Sequence, residues 1–398
     1  MTVDPFTAVS RTAPPRGGWA GDPRYRALAL QAIAVAVIVF VAWYLISNTI
    51  ANLARANVAS GYAYLGREAS FGISETLIDY APNDSYGRAI LVGLLNTLKV
   101  SVVGIVLATL LGTLVGIARL SSNWLLSHVA EAYVELIRNI PLLLQLLFWY
   151  TVITETLPGP RQAFRPLPGV FLSNRGLAFP VPNADPAWSL AAAGLLLAFV
   201  GCFGVRAWAR RRLAQTGRPV GILLPCLGIL VGLPALAWLI GGAPTGINMP
   251  QMQGFNLVGG VVCTPEFTAI LAGLVVYTAA FIAEIVRSGI LAVSHGQTEA
   301  ATALGLTRGQ ILRLITLPQA LRLIIPPVTS QYLNLAKNSS LAVAIGYPDL
   351  VSVLNTTMNQ TGQAVENVVL FMSVYLTISL AIAAFMNWYN AHIALVER

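Results

Sequence analysis

Charge is what this 398-residue chain has least of. Asp, Glu, Lys and Arg together make up 10% of it, against about one-quarter of an ordinary globular protein. Only two lysines occur, Lys99 and Lys337. With 56% hydrophobic residues and a mean hydropathy of +0.70, this scarcity excludes a soluble domain. The three cysteines (Cys202, Cys226, Cys263) lie in or beside apolar runs without C-x-x-C spacing, which excludes a disulfide framework or a thiolate metal site. His128, His295 and His392 are scattered, and no His/Asp/Glu cluster has ligand spacing, so no metal is expected. No G-x-x-x-x-G-K-[ST] phosphate loop is present, and no nucleophile–base constellation, so neither ATP hydrolysis by that route, nor an enzyme, nor a cofactor is expected. The net charge of +8 sits in short gaps between apolar runs rather than on one basic, aromatic-rich face, which excludes nucleic acid as partner. Residues 1–26 are polar and carry Pro5, Pro14, Pro15 and Pro23. The apolar run that follows is too long for the core of a cleavable signal, so a short disordered tail is expected there.

What the chain has in quantity is long apolar runs. A spanning helix needs roughly 20 such residues, and runs near 27–50, 89–119, 133–155, 187–205, 219–241, 265–292, 318–343 and 367–390 qualify. The fold class is therefore an all-α polytopic membrane protein of about eight transmembrane helices. Arg11, Arg16, Arg24 and Arg26 precede the first run, and Arg206, Arg210, Arg211, Arg212 and Arg218 follow the fourth with no acid among them. Positive charge marks the cytoplasmic side, so both termini (1–26 and 391–398) are expected inside, with the bilayer as an obligatory partner. Residues 51–88 and the Pro- and Gly-rich stretch 157–186 then lie outside, the former with short amphipathic helices at most and the latter as an ordered loop or linker.

One polar interruption stands out. EAATALGLTRGQILRLITLP, residues 299–318, separates the sixth and seventh runs. Glu299 suits the first turn of a short helix, Ala300 and Ala301 permit close approach of another backbone, and Gly305 ends the helix at positive φ. Thr307 and Gln310 then form a capping box for the next helix. From these residues alone, a docking helix and a plain connecting loop remain open. Glu299-Ala300-Ala301, Gly305 and Ile315-x-Leu317-Pro318 fit the pattern EAA-x3-G-x9-I-x-L-P, which resembles the coupling loop of bacterial ABC importer permeases. NTLKVSVVGIVLATLLGTLVGIARL (96–120), ELIRNIPLLLQLLFWY (135–150), AEIVRSGILAVSHGQTEAA (283–301) and KNSSLAVAIGYPDL (337–350) are similar to the polar amino-acid branch of that family.

The resemblance implies a type I importer permease spanning 89–390. Its five-helix core would come from the second, third, sixth, seventh and eighth spans, with an inserted loop and two extra helices at about 157–260. It further implies two ATP-binding subunits, a second and unlike permease chain, a periplasmic solute-binding protein, and polar L-amino acids as cargo. The layout resembles general L-amino-acid importers of the bacterial inner membrane. An ion-gradient-driven secondary amino-acid transporter is the alternative; it would call for midplane carboxylates and inverted repeats, which the spans do not offer.

Ionisable and polar groups inside spans are costly and mark candidates. Glu284 and Arg287, at i and i+3, are close enough to pair, as a structural ion pair or as substrate contacts. Gln145, Lys337, Asn338, Ser339, Ser340 and Asn96 offer the donors and acceptors that an amino-acid carboxylate and ammonium need in a low-dielectric passage. The bland alternative is that Lys337 snorkels to the interface and the serines bond helix to helix. Gly104, Ala108, Gly112 and Gly116 recur every fourth residue, as close helix packing requires.

Overall fold

The computed structural model describes residues 23–55, 61–217 and 220–393. Arg218 and most of both expected tails lie outside the described residues. Seven described helices are long and apolar enough to cross a membrane, and one bent pair makes an eighth. α1 (Pro23–Arg55) leads through a one-turn helix at 62–66 to α2 (Tyr86–Ala118), whose N-cap Ser85 accepts from the Arg88 N–H. α3 (Trp124–Asn139) starts from Asn123, whose side chain accepts from Leu126 N at 3.1 Å.

The run expected as one span at 133–155 is two helices. α3 and α4 (Leu142–Thr151, continued by a π turn to Thr156) meet at 105°. The residue before a proline is pushed out of the helical region, and Ile140 obeys at φ −102°, ψ 128° ahead of Pro141. Ile140 and Pro141, the latter at φ −55°, ψ 135°, are the two extended residues that turn the chain.

α5 (Pro186–Thr216) is capped by Asp185, has Pro186 in its first turn, and ends at Gly217 with φ +65°. It runs through the arginine-rich stretch read from the sequence as a loop, so Arg206 to Arg212 form its last turns. α6 (Leu223–Ile240) returns antiparallel against it. The chain is not wholly α: β1 (Phe171–Ser173), β2 (Gly176–Phe179), β3 (Val181–Pro182), β4 (Ile247–Asn248), β5 (Gln251–Gln253), β6 (Asn256–Val258) and β7 (Val261–Cys263) are short strands flanking this hairpin. β2 pairs antiparallel with both β1 and β7, and β3 pairs with β4. Segment 61–85 carries one short helix, at 62–66 with Tyr64 buried, and is otherwise irregular, with a turn at 82–83.

α7 (Pro265–Leu291) is the centre. It is 56% buried over its membrane window, whereas the windows of α1 and α6 are 0% buried. It packs against α2, α3, α4 and α10 (Leu317–Asn338). α8 (His295–Ala303) and α9 (Arg308–Ile311) connect the two, and α11 (Leu350–Thr361) and α12 (Ala364–Ile393) complete the chain. α11 follows no recognised run. Its N-cap Asp349 accepts from Ser352 N at 2.9 Å, and Gly362 stops it at φ +72°. The packed unit is thus α2, α3–α4, α7, α10 and α12. At the end opposite α8, Tyr64 Oη donates to Asn367 Oδ1 at 3.0 Å and Gly61 N donates to Glu366 Oε1 at 2.6 Å, tying 61–66 to the start of α12. Burial pushes the Tyr64 phenol up to about 12, so it remains a donor.

Candidate functional site

α8 projects from the end of the packed unit where α7 stops. It begins at His295, so Glu299 lies in its second turn and not in the first, as the sequence reading had it. Its finish is a complete Schellman motif. Gly305 N donates to Thr302 O at 2.9 Å and Leu306 N to Ala301 O at 3.2 Å, with Gly305 at φ +77°. Thr307 N then donates to Gln310 Oε1 at 2.8 Å, fixing the entry to α9. Ala301 alone of α8 is buried, while Glu299 and Ala300 face outward. Leu304, just past the helix, is 82% exposed, an apolar side chain with no cover from its own chain.

The Ile315-x-Leu317-Pro318 part has a separate role. Pro318 has no N–H to offer the preceding turn. The helix accommodates this with a π turn over Leu312–Thr316, in which Leu317 N reaches back to Leu312 O. α9 therefore runs into α10 without a stop, and the continuous helix begins at Arg308 rather than at 318. The π turn packs beside α8, with Ile315 half-buried there.

Behind α8 lies a cluster of four charges. Glu284 accepts from Arg287 Nη2 at 2.7 Å and also from Arg119 Nη1, and Arg119 lies 3.7 Å from Glu131. Arg119 terminates α2, Glu131 is on α3, and Glu284 and Arg287 sit within the last two turns of α7. Three helices are thus pinned at the root of α8. The sequence reading found only the i, i+3 half, because Arg119 reads locally as an ordinary flanking charge. Replacing Glu284 by Gln leaves Arg119, only 8% exposed, with Glu131 at 3.7 Å as its remaining counter-charge. Breaking a fully buried pair costs about 3–5 kcal/mol, and the partial exposure of Glu284 reduces this to about 1–3 kcal/mol. Thermal unfolding of the purified chain checks this; a Tm within about 1 °C of the parent would sink it.

The small-residue stripe of α2 fits against α7. A Cβ added at Gly112 would stand 2.7 Å from Ile282 Cβ and 2.8 Å from Ala279 O, and one at Gly116 2.8 Å from Ala283 O. α7 is equally close to its other neighbours, with Gly273 against Leu146 of α4 and Gly289 against Ile324 of α10.

The six polar candidates are not gathered into one site, and among the described residues no side-chain-to-side-chain hydrogen bond joins any two of them. Gln145 is buried, and its amide donates to Ile137 O and Ile140 O at 2.9 Å each, closing the carbonyl end of α3 at the bend. Asn96 is fully buried and donates to Glu75 O at 2.8 Å and Pro348 O at 2.9 Å. Ser339 and Ser340 donate to Ala336 O and Lys337 O within their own helix end. Asn338 is half-buried and Lys337 exposed at the end of α10. The second lysine, Lys99, pairs with Glu75 and lies 4.1 Å over the Phe267 ring, while Thr264 Oγ1 donates to the other Glu75 oxygen at 2.7 Å. Glu75 thereby ties segment 61–85 to α2 and to the start of α7. Nothing local in the sequence marked it out.

The fold is multi-pass and helical, and its exposed loop carries the EAA pattern that resembles the coupling loop of importer permeases. The profile of the family described as binding-protein-dependent transport system inner membrane component matches residues 213–395. The chain is 48% identical over 377 residues to the general L-amino acid transport system permease protein of Rhizobium johnstonii, covering 95% of this chain and 94% of that one. It is also 48% identical over 383 residues to a putative amino-acid ABC transporter permease protein of Escherichia coli, covering 95% and 96%. To the glutamate/glutamine/aspartate/asparagine transport system permease protein of Rhodobacter capsulatus it is 40% identical over 409 residues, covering 95% and 96%. The chain belongs to this family of inner-membrane ABC transporter permeases. The gradient-driven alternative has no counterpart among these relatives.

Proposed function

We propose that this chain is half of the translocation pathway of an ATP-driven importer for polar L-amino acids. In this reading α8 is the coupling helix, seated in a groove of a separate ATP-binding subunit of which two copies serve the assembly. The observation that carries it is an EAA-x3-G loop folded as a bare, glycine-terminated helix, in a chain 48% identical over 95% of its length to a general L-amino acid permease. Closure of the ATP-binding subunits pushes on α8, and the charge cluster at its root passes the displacement to α2, α3 and α7 together, giving alternating access. α8, the arginine-rich end of α5 and both termini are then cytoplasmic, segment 51–88 and the strands are periplasmic, and a periplasmic solute-binding protein delivers the cargo there. The permease domain is 89–390, carrying the 157–260 insertion, and its partner is a second, unlike permease chain.

Lys337 and Asn338, accessible at the end of α10, meet the amino-acid carboxylate. Gln145, Asn96, Ser339 and Ser340, with their donors committed to backbone, shape the wall beside them. The test is to co-express this chain with ATP-binding, permease and solute-binding partners, reconstitute the complex, and measure ATPase rate as each L-amino acid is added. Stimulation by polar amino acids is expected. Uptake by this chain alone, insensitive to ATP removal and abolished by dissipating an ion gradient, would overturn the reading.

A further inference from the structure

The α5–α6 hairpin takes little part in the packed unit, yet it makes one half-open groove with α12. Two adjoining cavities, of about 880 and about 350 Å³, open between the end of α5, the start of α6 and the end of α12. They share Phe199, Arg206, Ile222 and Trp388, so they form one groove with Arg206 at the junction. The wider part carries Arg210 as well, one helical turn from Arg206 and on the same side of α5; the narrower part is apolar, lined by Phe203, Leu223 and Leu230 among others.

The depth of this groove is set by geometry. Arg206 is 20 residues beyond Pro186, where α5 starts, and at 1.5 Å per residue that is about 30 Å, the thickness of the hydrocarbon layer. With Pro186 placed at the opposite hydrocarbon boundary, the Arg206 guanidinium reaches headgroup level, with the apolar part of the groove on the acyl-chain side. Trp388 and Tyr389 on α12 flank it, as aromatic side chains do at a membrane boundary. The electrostatics have one sign. No acid occurs between Asp185 and Glu266 in the sequence, and among the described residues no carboxylate forms an ion pair with Arg206 or Arg210.

We propose that this groove is a binding site for an anionic phospholipid, its phosphate held by Arg206 and Arg210 and an acyl chain lying along Phe199 and Phe203. Guanidinium forks match phosphate oxygens, and basic pockets between spanning helices recognise anionic headgroups. The site joins an otherwise loosely held hairpin to α12, a helix of the packed unit.

The full-length chain, purified in mild detergent and incubated with equal amounts of phosphatidylglycerol and phosphatidylcholine of identical acyl chains, is examined by native mass spectrometry. Two basic side chains at the headgroup give an expected enrichment of phosphatidylglycerol of roughly thirty-fold. The R206Q/R210Q variant should lose it, and R206K/R210K should keep most of it. R211Q/R212Q removes the same charge from the same helix outside the groove, where Arg212 stacks over Trp208 at 5.2 Å, and should leave the enrichment unchanged. Equal loss in both Gln variants, or no enrichment in the parent chain, would overturn the proposal. Unchanged Tm values across the three variants exclude misfolding as the cause.

Discussion

Leu304→Asp is expected to abolish ATPase-coupled transport while leaving the permease itself intact. The side chain is 82% exposed at the tip of the α8 turn, so its replacement changes the stability of the isolated chain by no more than about 0.5 kcal/mol. In the proposed assembly the same leucine would enter the ATP-binding subunit's groove, where loss of a central apolar anchor costs about 2 kcal/mol or more, which is about thirty-fold in affinity. Introducing a charge there adds desolvation to that loss. Copurification of the ATP-binding subunit and ATP-driven uptake should fall together, with Tm unchanged. Full uptake by the variant would mean that α8 does not dock through this surface. Gly305→Asp provides a graded comparison. Nothing stands within 4 Å of its added Cβ, so the expected penalty is the left-handed backbone alone, about 1 kcal/mol, with partial uncoupling as the α8 turn loosens.

Gly112→Leu is expected to yield no monodisperse folded protein. Even one added carbon would meet Ala279 O at 2.8 Å and Ile282 Cβ at 2.7 Å. The first is backbone, which no rotamer change can move aside. α2 and α7 must therefore separate, and with them the contacts at Gly116 and the Arg119–Glu284 pair. Overpacking typically costs about 1–3 kcal/mol, a range that Gly112→Ala should occupy as a lowered Tm; the larger side chain exceeds it. Gly228→Leu on α6, where nothing lies within 4 Å, should leave the elution profile and Tm as they were. If Gly112→Leu behaves like Gly228→Leu, α2 and α7 do not pack as described.

The sequence was most informative where the physics is local. Apolar run length located the spans, and Gly305, Thr307 and Gln310 announced the turn after α8, because capping is decided within four residues. It was least informative where a feature depends on a distant partner. β2 spans four residues and is held by β7, some eighty positions later, with no periodicity of its own to notice. Arg119 acquires meaning only beside Glu284, and Glu75 only beside Lys99 and Thr264. Gln145 illustrates an intermediate case. The sequence marks it only as a polar group inside a span, whereas its amide N–H group donates to Ile137 O and Ile140 O, the carbonyls that the Pro141 bend leaves open. The π turn before Pro318 was hidden for the opposite reason: a proline after a turn motif reads as a fresh start, and the helix instead absorbs it by widening one turn.

The strands that frame the α5–α6 hairpin have a consequence for how such a chain is assembled. β3 lies beside β4, and β2 beside β7, so the points where the polypeptide leaves and rejoins the packed unit are about 5 Å apart. Topologically the hairpin is a cassette with a stapled neck. The rest of the chain has the same end-to-end geometry whether the cassette is long, short or absent. Chain can therefore be added or removed at this neck without re-routing α4 or α7, and the membrane environment of the hairpin is free to change while the geometry behind α8 stays the same.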